Sequence, residues 1–376
     1  MRTYFCVLVF VFCFASTAPA SSLEDVWGEV HPLLSDAVSE LDLRGNVPDS
    51  SWNPLEKDKE SVDGKINDLL DECIEVLGIS GMSETKDAIR KLQEDSKHCR
   101  ERVAELKTER LAAPKKVENW EVWKKDAASI DEEIKDLEIR EEENERRVES
   151  LIDKLLEEMR AIGMKVDREQ VETLVYSVTG DDDVRLVSVF NNVKLITAEL
   201  QRLTSEANEN IEMAKRYYGM HTLLLRILIN LYDTYERRIN DVYLVKIADI
   251  ISKQEELIQR TIEKINSEPA KYRGIYKTNL AAQGLTVRTA RKYAQYLGKN
   301  RKRIADARSG IYHEYEVALN TYETVQGAHN LIIMMRDANA MLDRISELQT
   351  PDLIVFQNTE MKTEFRKLTN RLNSLD

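Results

Sequence analysis

From Leu186 onward, apolar or small residues recur three and four positions apart. The series is Val189, Val193, Ile196, Leu200, Leu203 and Ala207, then Ala214, Tyr217, Leu224, Leu228, Leu231, Tyr235 and Val242. This spacing is the seam of a helix that packs on other helices. No proline lies between Pro114 and Pro269, and Gly219 is the only glycine between Gly180 and Gly274. The pattern predicts one helix over residues 183–267, about 125 Å long. A helix of that length cannot bury its own stripe, so it needs partner helices.

A second long helix is predicted from Thr286, with Val287, Ala290, Ala294, Leu297, Ile304, Ile311, Tyr315, Ala318, Tyr322, Val325, Ile332, Leu342, Ile345 and Leu348 on its seam and Pro351 as its stop. A short connection after Pro269 folds the two long helices into an antiparallel hairpin. Earlier in the chain, Ile66, Leu69, Leu70, Cys73 and Leu77 form one face up to a Gly78–Gly81 turn, where Ser83 is the expected cap. Ile89, Leu92, Cys99, Val103 and Leu106 continue to a stop at Pro114, since the residue before proline leaves helical geometry. A third helix runs from near Val117 to Ile162, with Ile130, Ile134, Leu137, Val148, Leu151 and Leu155 on its seam and Glu141 and Asn144 at two core positions. Those polar positions either fix register or mark a frayed tip. Asp167 and Gln170 form a capping box for a short helix over residues 171–178.

The expected class is therefore all-α, an extended set of antiparallel long-helix hairpins or a coiled-coil bundle. The organisation reads as residues 1–20, a signal peptide; 21–64, an irregular segment and linker holding Trp27 and Trp52; 65–165, an N-terminal helical hairpin region; 166–350, a long antiparallel hairpin; and 351–376, a tail helix. The signal assignment rests on Arg2, an apolar run over residues 4–15, and an Ala18-Pro19-Ala20 cleavage site that makes Ser21 the first mature residue. The run is shorter than a bilayer span, and the later apolar stretches, residues 223–231 and 331–335, are shorter still. The expected location is the bacterial periplasm, with the extracellular space as the alternative. No Asn-x-Ser/Thr acceptor occurs, in keeping with the first.

Net charge is −13 and 32% of residues are charged, beside 42% hydrophobic residues. That apolar share excludes a disordered chain, and the acidity argues against nucleic acid as a partner. Charge is distributed unevenly. Residues 271–308 hold eleven bases against one acid, Asp306, whereas residues 131–149 hold ten acids against four bases. The two runs either attract one another within or between molecules, or the basic run meets an anionic surface. The candidate contact residues are Arg288, Arg291, Lys292, Lys299, Arg301, Lys302 and Arg303.

Groups able to carry chemistry are sparse. His31, His98, His221, His313 and His329 follow no zinc-site spacing, and the Asp181-Asp182-Asp183 run lacks the spaced ligands of a calcium loop. No nucleophile elbow, phosphate-binding glycine loop or dinucleotide fingerprint is present. The expectation is a protein without enzymatic activity, cofactor or metal. Cys73 and Cys99 remain after signal removal and are a disulfide candidate for an oxidising compartment. An intramolecular bridge is the expectation, although a simple fold-back at Gly78–Gly81 would carry Cys99 beyond the level of Cys73, so the bridge needs a kink or another route through the bundle. A Cys99 pair across two copies and two buried free thiols are the alternatives. The functional expectation is an exported coiled-coil scaffold, tether or adaptor, working through protein partners or its own copies by way of the heptad seams. The alternative is a secreted helical pore-forming toxin, since size, signal and long-helix content resemble helical cytolysins in overall shape, without any shared motif.

Overall fold

In a computed structural model the chain is described over residues 23–50, 57–113, 127–206, 211–327 and 359–373. The signal segment and its cleavage after Ala20, Trp52, Pro114, the helix start near Val117, His329, residues 331–335 and the last seam positions up to Pro351 lie outside those residues.

Among the described residues all regular structure is helical, so the chain is all-α. The elements are α1 (Leu23–Arg44), α2 (Lys59–Gly78), α3 (Gly81–Ala112), α4 (Ala127–Ala161), α5 (Arg168–Val175), α6 (Gly180–Glu206), α7 (Ile211–Arg237), a π turn (Arg238–Tyr243), α8 (Leu244–Ser267), a 3-10 turn (Ala270–Tyr272), α9 (Arg273–Gly327) and α10 (Thr359–Asn373). Local sequence explains several boundaries. Asp58 with Ser61, Ser80 with Ser83, and Asp167 with Gln170 form reciprocal capping boxes that satisfy the first free N–H groups of α2, α3 and α5. The cap of α3 is thus Ser80, and Ser83 is its reciprocal partner rather than the cap itself. Gly163, at φ 89°, takes the left-handed position that ends α4.

Helix pairing departs from the sequence expectation at one place. The predicted helix over residues 183–267 is divided. The rings of Phe190 on α6 and Tyr232 on α7 lie 5.5 Å apart, although a continuous helix would separate these positions by about 63 Å. Tyr243 and Tyr235 likewise reach back to Asp182 and Asp183. Helix α6 therefore runs antiparallel to α7. At the Gly78–Gly81 turn a simple fold-back of α2 on α3 is not what forms; α2 lies along α1 instead. Arg44 pairs with Asp63 at 3.0 Å and Lys65 with Glu40.

Two antiparallel pairings dominate the rest. Helix α3 runs along α4, with Arg110–Asp131, Arg102–Glu133, Arg100–Glu141 and Arg140–Asp95 pairs in succession. Helices α7 and α8 run along α9, through Arg308–Asp233, Arg301–Asn240, Arg291–Glu255 and Gln283–Thr261 contacts. The main core joins α1, α2, α6, α7, α8, α9 and α10, and includes Leu34, Leu70, Val193, Leu228, Tyr232, Leu297 and Phe365. Two smaller cores lie along α3 and α4. One, around Ile89, Ile152 and Leu155, also takes in Val171 and Leu174 of α5 and Val184 and Val187 of α6, and one, around Leu106 and Ile130, lies between α3 and α4 alone. Trp27 packs edge-on against His31 at 4.9 Å and lies on the main core, a docking role within the fold.

Two glycines allow close approach. Gly219 on α7 meets Val38 of α1 and Tyr322 of α9, either of which would lie 3.0 Å from an added Cβ. At Gly180 a Cβ would fall 2.2 Å from the Leu174 carbonyl oxygen. Gly180→Ala should therefore lower stability by about 1–3 kcal/mol, as overpacking against rigid backbone does. An unchanged melting temperature would show that α5 is not held against the start of α6.

Candidate functional site

The amphipathic pattern of α9 determines which residues reach the surface. Val287, Ala290, Tyr293, Leu297, Ile304 and Ile311 are buried against α7, α8 and α10. At about 100° per residue the opposite sector must then face solvent. All seven candidate cations, Arg288, Arg291, Lys292, Lys299, Arg301, Lys302 and Arg303, are exposed. They divide by partner. Arg291 pairs with Glu255 of α8, Arg301 bonds Asn240 of the π turn at 3.0 Å, and Arg303 acts electrostatically on Tyr296. Among the described residues no carboxylate pairs with Arg288, Lys292, Lys299 or Lys302.

Lys277 and Arg273 extend the same outward sector toward the start of α9, both exposed. Between residues 273 and 303 the other central positions of this sector are Gly274, Ala281, Gly284 and Gln295. Carboxylates are absent until Asp306. The sector is single-signed over about 44 Å of helix.

The acidic run of α4 is paired in part, through Asp131, Glu133, Glu138, Glu141 and Glu149, while Glu132, Asp136, Glu142, Glu143 and Glu145 are exposed. The first four meet bases of α3, and Glu149 meets Arg168 of α5. No ion pair among the described residues joins residues 131–149 to residues 271–308. Glu141 and Asn144, the two polar seam positions, both bridge to α3: Arg100 donates to Glu141 at 2.9 Å, and the Asn144 amide donates to Asp95 at 2.7 Å. They tie the register of the two helices.

Cys73 and Cys99 are both free and buried. Cys73 belongs to the main core through α2, whereas Cys99 lies on α3 among Asp95, Arg140 and Glu141. Because α2 packs on α1 and not on α3, the expected bridge is not formed. Burial raises both thiol pKa values, that of Cys73 to about 12, so neither is a ready thiolate.

The three aspartates at the start of α6 diverge. Asp181 accepts from Lys86 at 2.6 Å. Asp182 pairs with Arg238 at 2.9 Å and accepts from the Tyr243 hydroxyl. Asp183, fully buried, accepts from Thr179 at 2.8 Å and from Tyr235. No group of three or more His, Cys, Asp or Glu residues able to hold a metal ion occurs among the described residues. Burial pushes the Asp183 carboxyl up to about 7, with the neighbouring Asp182 charge acting in the same direction. Asp182 and Asp183, with Tyr243 on the first and Tyr235 and Tyr296 by the second, form a buried acid–phenol cluster where α6 crosses the π turn.

That cluster escaped sequence reasoning, which read the aspartates as a helix start. A signal was nevertheless present. Buried positions in this stretch fall at Tyr235, Ile239, Tyr243 and Ile247, three successive steps of four. A heptad seam alternates threes and fours, so a run of fours marks an inserted residue. The π turn absorbs it.

No known protein family, curated protein or solved structure matches this chain. Its function must be read from its own residues. Among those described, no helix is long and apolar enough to cross a membrane.

Proposed function

We propose that this chain is an exported helical scaffold or tether, built as extended hairpins that pack in coiled-coil fashion and working through contacts with other proteins or its own copies. The observation that supports this best is the pairing of α7 and α8 with α9. It joins two long stretches of chain by few turns, and its surface carries charge rather than a concave site. Large apolar side chains protrude from it: Val245 is 59% exposed and Ile275 60% exposed. Such residues suit protein contact. The periplasm is the preferred location, and neither catalysis nor a cofactor enters this reading.

A pore-forming toxin ranks second because it needs an apolar tongue to spare. Residues 223–231 are the best described candidate, and they are committed to the fold. Leu223, Leu224, Leu225, Ile227, Leu228, Ile229 and Leu231 are all buried in the main core. Arg226, within the same stretch, is held by Asp63 at 3.0 Å and Asn67 at 2.8 Å.

The test is site-specific photo-cross-linking in living cells, with the reactive group placed at Val245 and at Ile275. The expected result is a discrete protein adduct, recurring in mass, that disappears when the reactive group is moved to a buried position such as Leu297. Absence of any protein adduct from both positions would sink the scaffold reading.

A further inference from the structure

We propose that the outward face of α9 is a docking surface for an anionic phospholipid bilayer. Its contact groups are Arg273, Lys277, Arg288, Lys292, Lys299 and Lys302. This names a second partner for the tether proposed above and rests on that reading for its compartment.

Three observations carry it. First, the six cations are exposed and lie opposite the buried stripe of Ala290, Tyr293 and Leu297, so among the described residues they form an uncovered line along α9. They are also unengaged, unlike Arg291, Arg301 and Arg308, which are turned toward Glu255, Asn240 and Asp233. Second, the positions between them are small or neutral: Gly274, Ala281, Gly284 and Gln295. A planar surface can therefore approach the helix without meeting a carboxylate or a bulky side chain. Third, the whole chain carries −13, so its other faces are repelled by an anionic membrane while this one is attracted. The charge asymmetry orients the rod lengthwise on the surface.

The chemistry of the face selects among anionic partners. Between Arg288 and Lys302 Tyr293 is buried and Tyr296 half-buried, so that stretch of cations carries no exposed aromatic ring on which nucleic-acid bases could stack; the exposed Tyr272 lies beyond the start of α9 under Lys271. The face also offers charge without a groove or an apolar anchor, which a folded acidic protein would need for a defined register. A bilayer needs neither. It presents many mobile headgroup charges to a straight line of cations.

The experiment is co-sedimentation of the purified chain with vesicles of phosphatidylglycerol and phosphatidylcholine, or of phosphatidylcholine alone, at low and high salt, with trapped dye. The variant is Arg288→Gln/Lys292→Gln/Lys299→Gln/Lys302→Gln. A control removes the same number of exposed cations elsewhere: Lys91→Gln/Lys135→Gln/Arg147→Gln/Lys194→Gln. Neither set breaks an ion pair among the described residues, so both proteins should keep the wild-type melting temperature.

Each surface cation strengthens binding by roughly fivefold at low salt. The first variant should therefore bind phosphatidylglycerol vesicles several hundredfold more weakly, about 600-fold if the four contributions add, and the control should bind nearly as wild type does. Binding should fall steeply with salt and release no dye. Equal binding to neutral vesicles, or equal loss in the control, would overturn the assignment to this face. No binding at low salt would overturn the membrane inference and leave the scaffold reading to its cross-linking test. Dye release would instead replace the scaffold reading with the pore former.

Discussion

Replacing Tyr293 with alanine should destabilise the protein by about 3–5 kcal/mol, the range for deleting a buried aromatic side chain. Tyr293 sits where the α5–α6 connection, α9 and α10 meet. Its ring lies 4.4 Å from that of Phe365. Its hydroxyl accepts from the Val178 backbone N–H at 2.7 Å and bonds the Ser177 hydroxyl at 3.0 Å. The alanine variant loses the apolar contact and also strands a buried N–H. Tyr293→Phe separates the two effects, because it keeps the ring and should cost only the stranded group, about 1–3 kcal/mol. Local consequences should differ too. α10 is further held by Arg366 against Glu172 and the ring of Tyr176, but its apolar anchor on α9 is the Phe365–Tyr293 contact. Trypsin should cut at Arg366, Lys367 or Arg371 faster in Tyr293→Ala than in Tyr293→Phe. Equal denaturant midpoints and equal cleavage rates for the two variants would refute this account of the junction.

The second large effect concerns pH. Asp183 is fully buried, and burial raises its pKa from 3.8 to about 7. The groups facing it are Thr179, Tyr235, Tyr293, Tyr296, Asp182 and Lys86. Of these, the two hydroxyl donors and Lys86 only partly offset the desolvation. The folded state therefore holds this proton more tightly than the unfolded state does. Between pH 3.8 and about 7 the folded protein binds more protons here, so stability from this group declines as pH rises and levels off above 7. The total is about 4 kcal/mol for a shift of roughly three units. Asp183→Asn cannot ionise, and its amide can pair with both hydroxyls. Its stability advantage over the wild type should grow by about 3 kcal/mol between pH 5 and pH 8. Taking the difference between the two proteins removes every group they share. A constant difference across that range would refute the buried-carboxyl assignment.

The wild type by itself should show little of this slope, because His221 opposes it. His221 on α7 is fully buried, neither ring nitrogen has a hydrogen-bond partner, and burial lowers its pKa from 6.5 to about 3. A lowered base pKa takes stability away as pH falls from 6.5 toward 3. Over pH 4–6.5 the two contributions run in opposite directions at about 1.4 kcal/mol per unit each. His221→Leu should expose the Asp183 slope, and Asp183→Asn should expose that of His221. The leucine variant should also be no less stable at pH 7, since it removes two unpaired buried nitrogens and keeps an apolar side chain. Denaturant titrations at pH 5, 6 and 7 would show both slopes.

Much of the molecule was legible in the residues alone. The three-and-four spacing determined the all-helical class, because an amphipathic stripe is a local property of the chain. Capping pairs such as Asp167 with Gln170 act within one turn and could be read directly. The outward cations of α9 were also legible, since the apolar stripe that buries Leu297 and Ile304 forces Lys299 and Lys302 to the other side. Glu141 and Asn144 could be recognised as polar core positions, although their partners on α3 could not.

Partner choice was decided by tertiary structure. A seam records that a helix has a partner and leaves open which partner it is. Residues 183–267 contain no proline and one glycine, so local preference permits a single helix. The contacts of Phe190 with Tyr232 and of Asp183 with Tyr235 instead favour α6 folded back on α7, because that arrangement buries both stripes within the same chain. The same competition placed α2 on α1, separated Cys73 from Cys99 and turned Asp131, Glu133, Glu138 and Glu141 of α4 toward bases of α3. It also carried Asp183 from an apparent helix start into a buried cluster with Asp182 and the tyrosines that meet the two carboxylates. Helix formation is written in neighbours three and four residues apart, whereas helix pairing is settled by which apolar faces together exclude the most water.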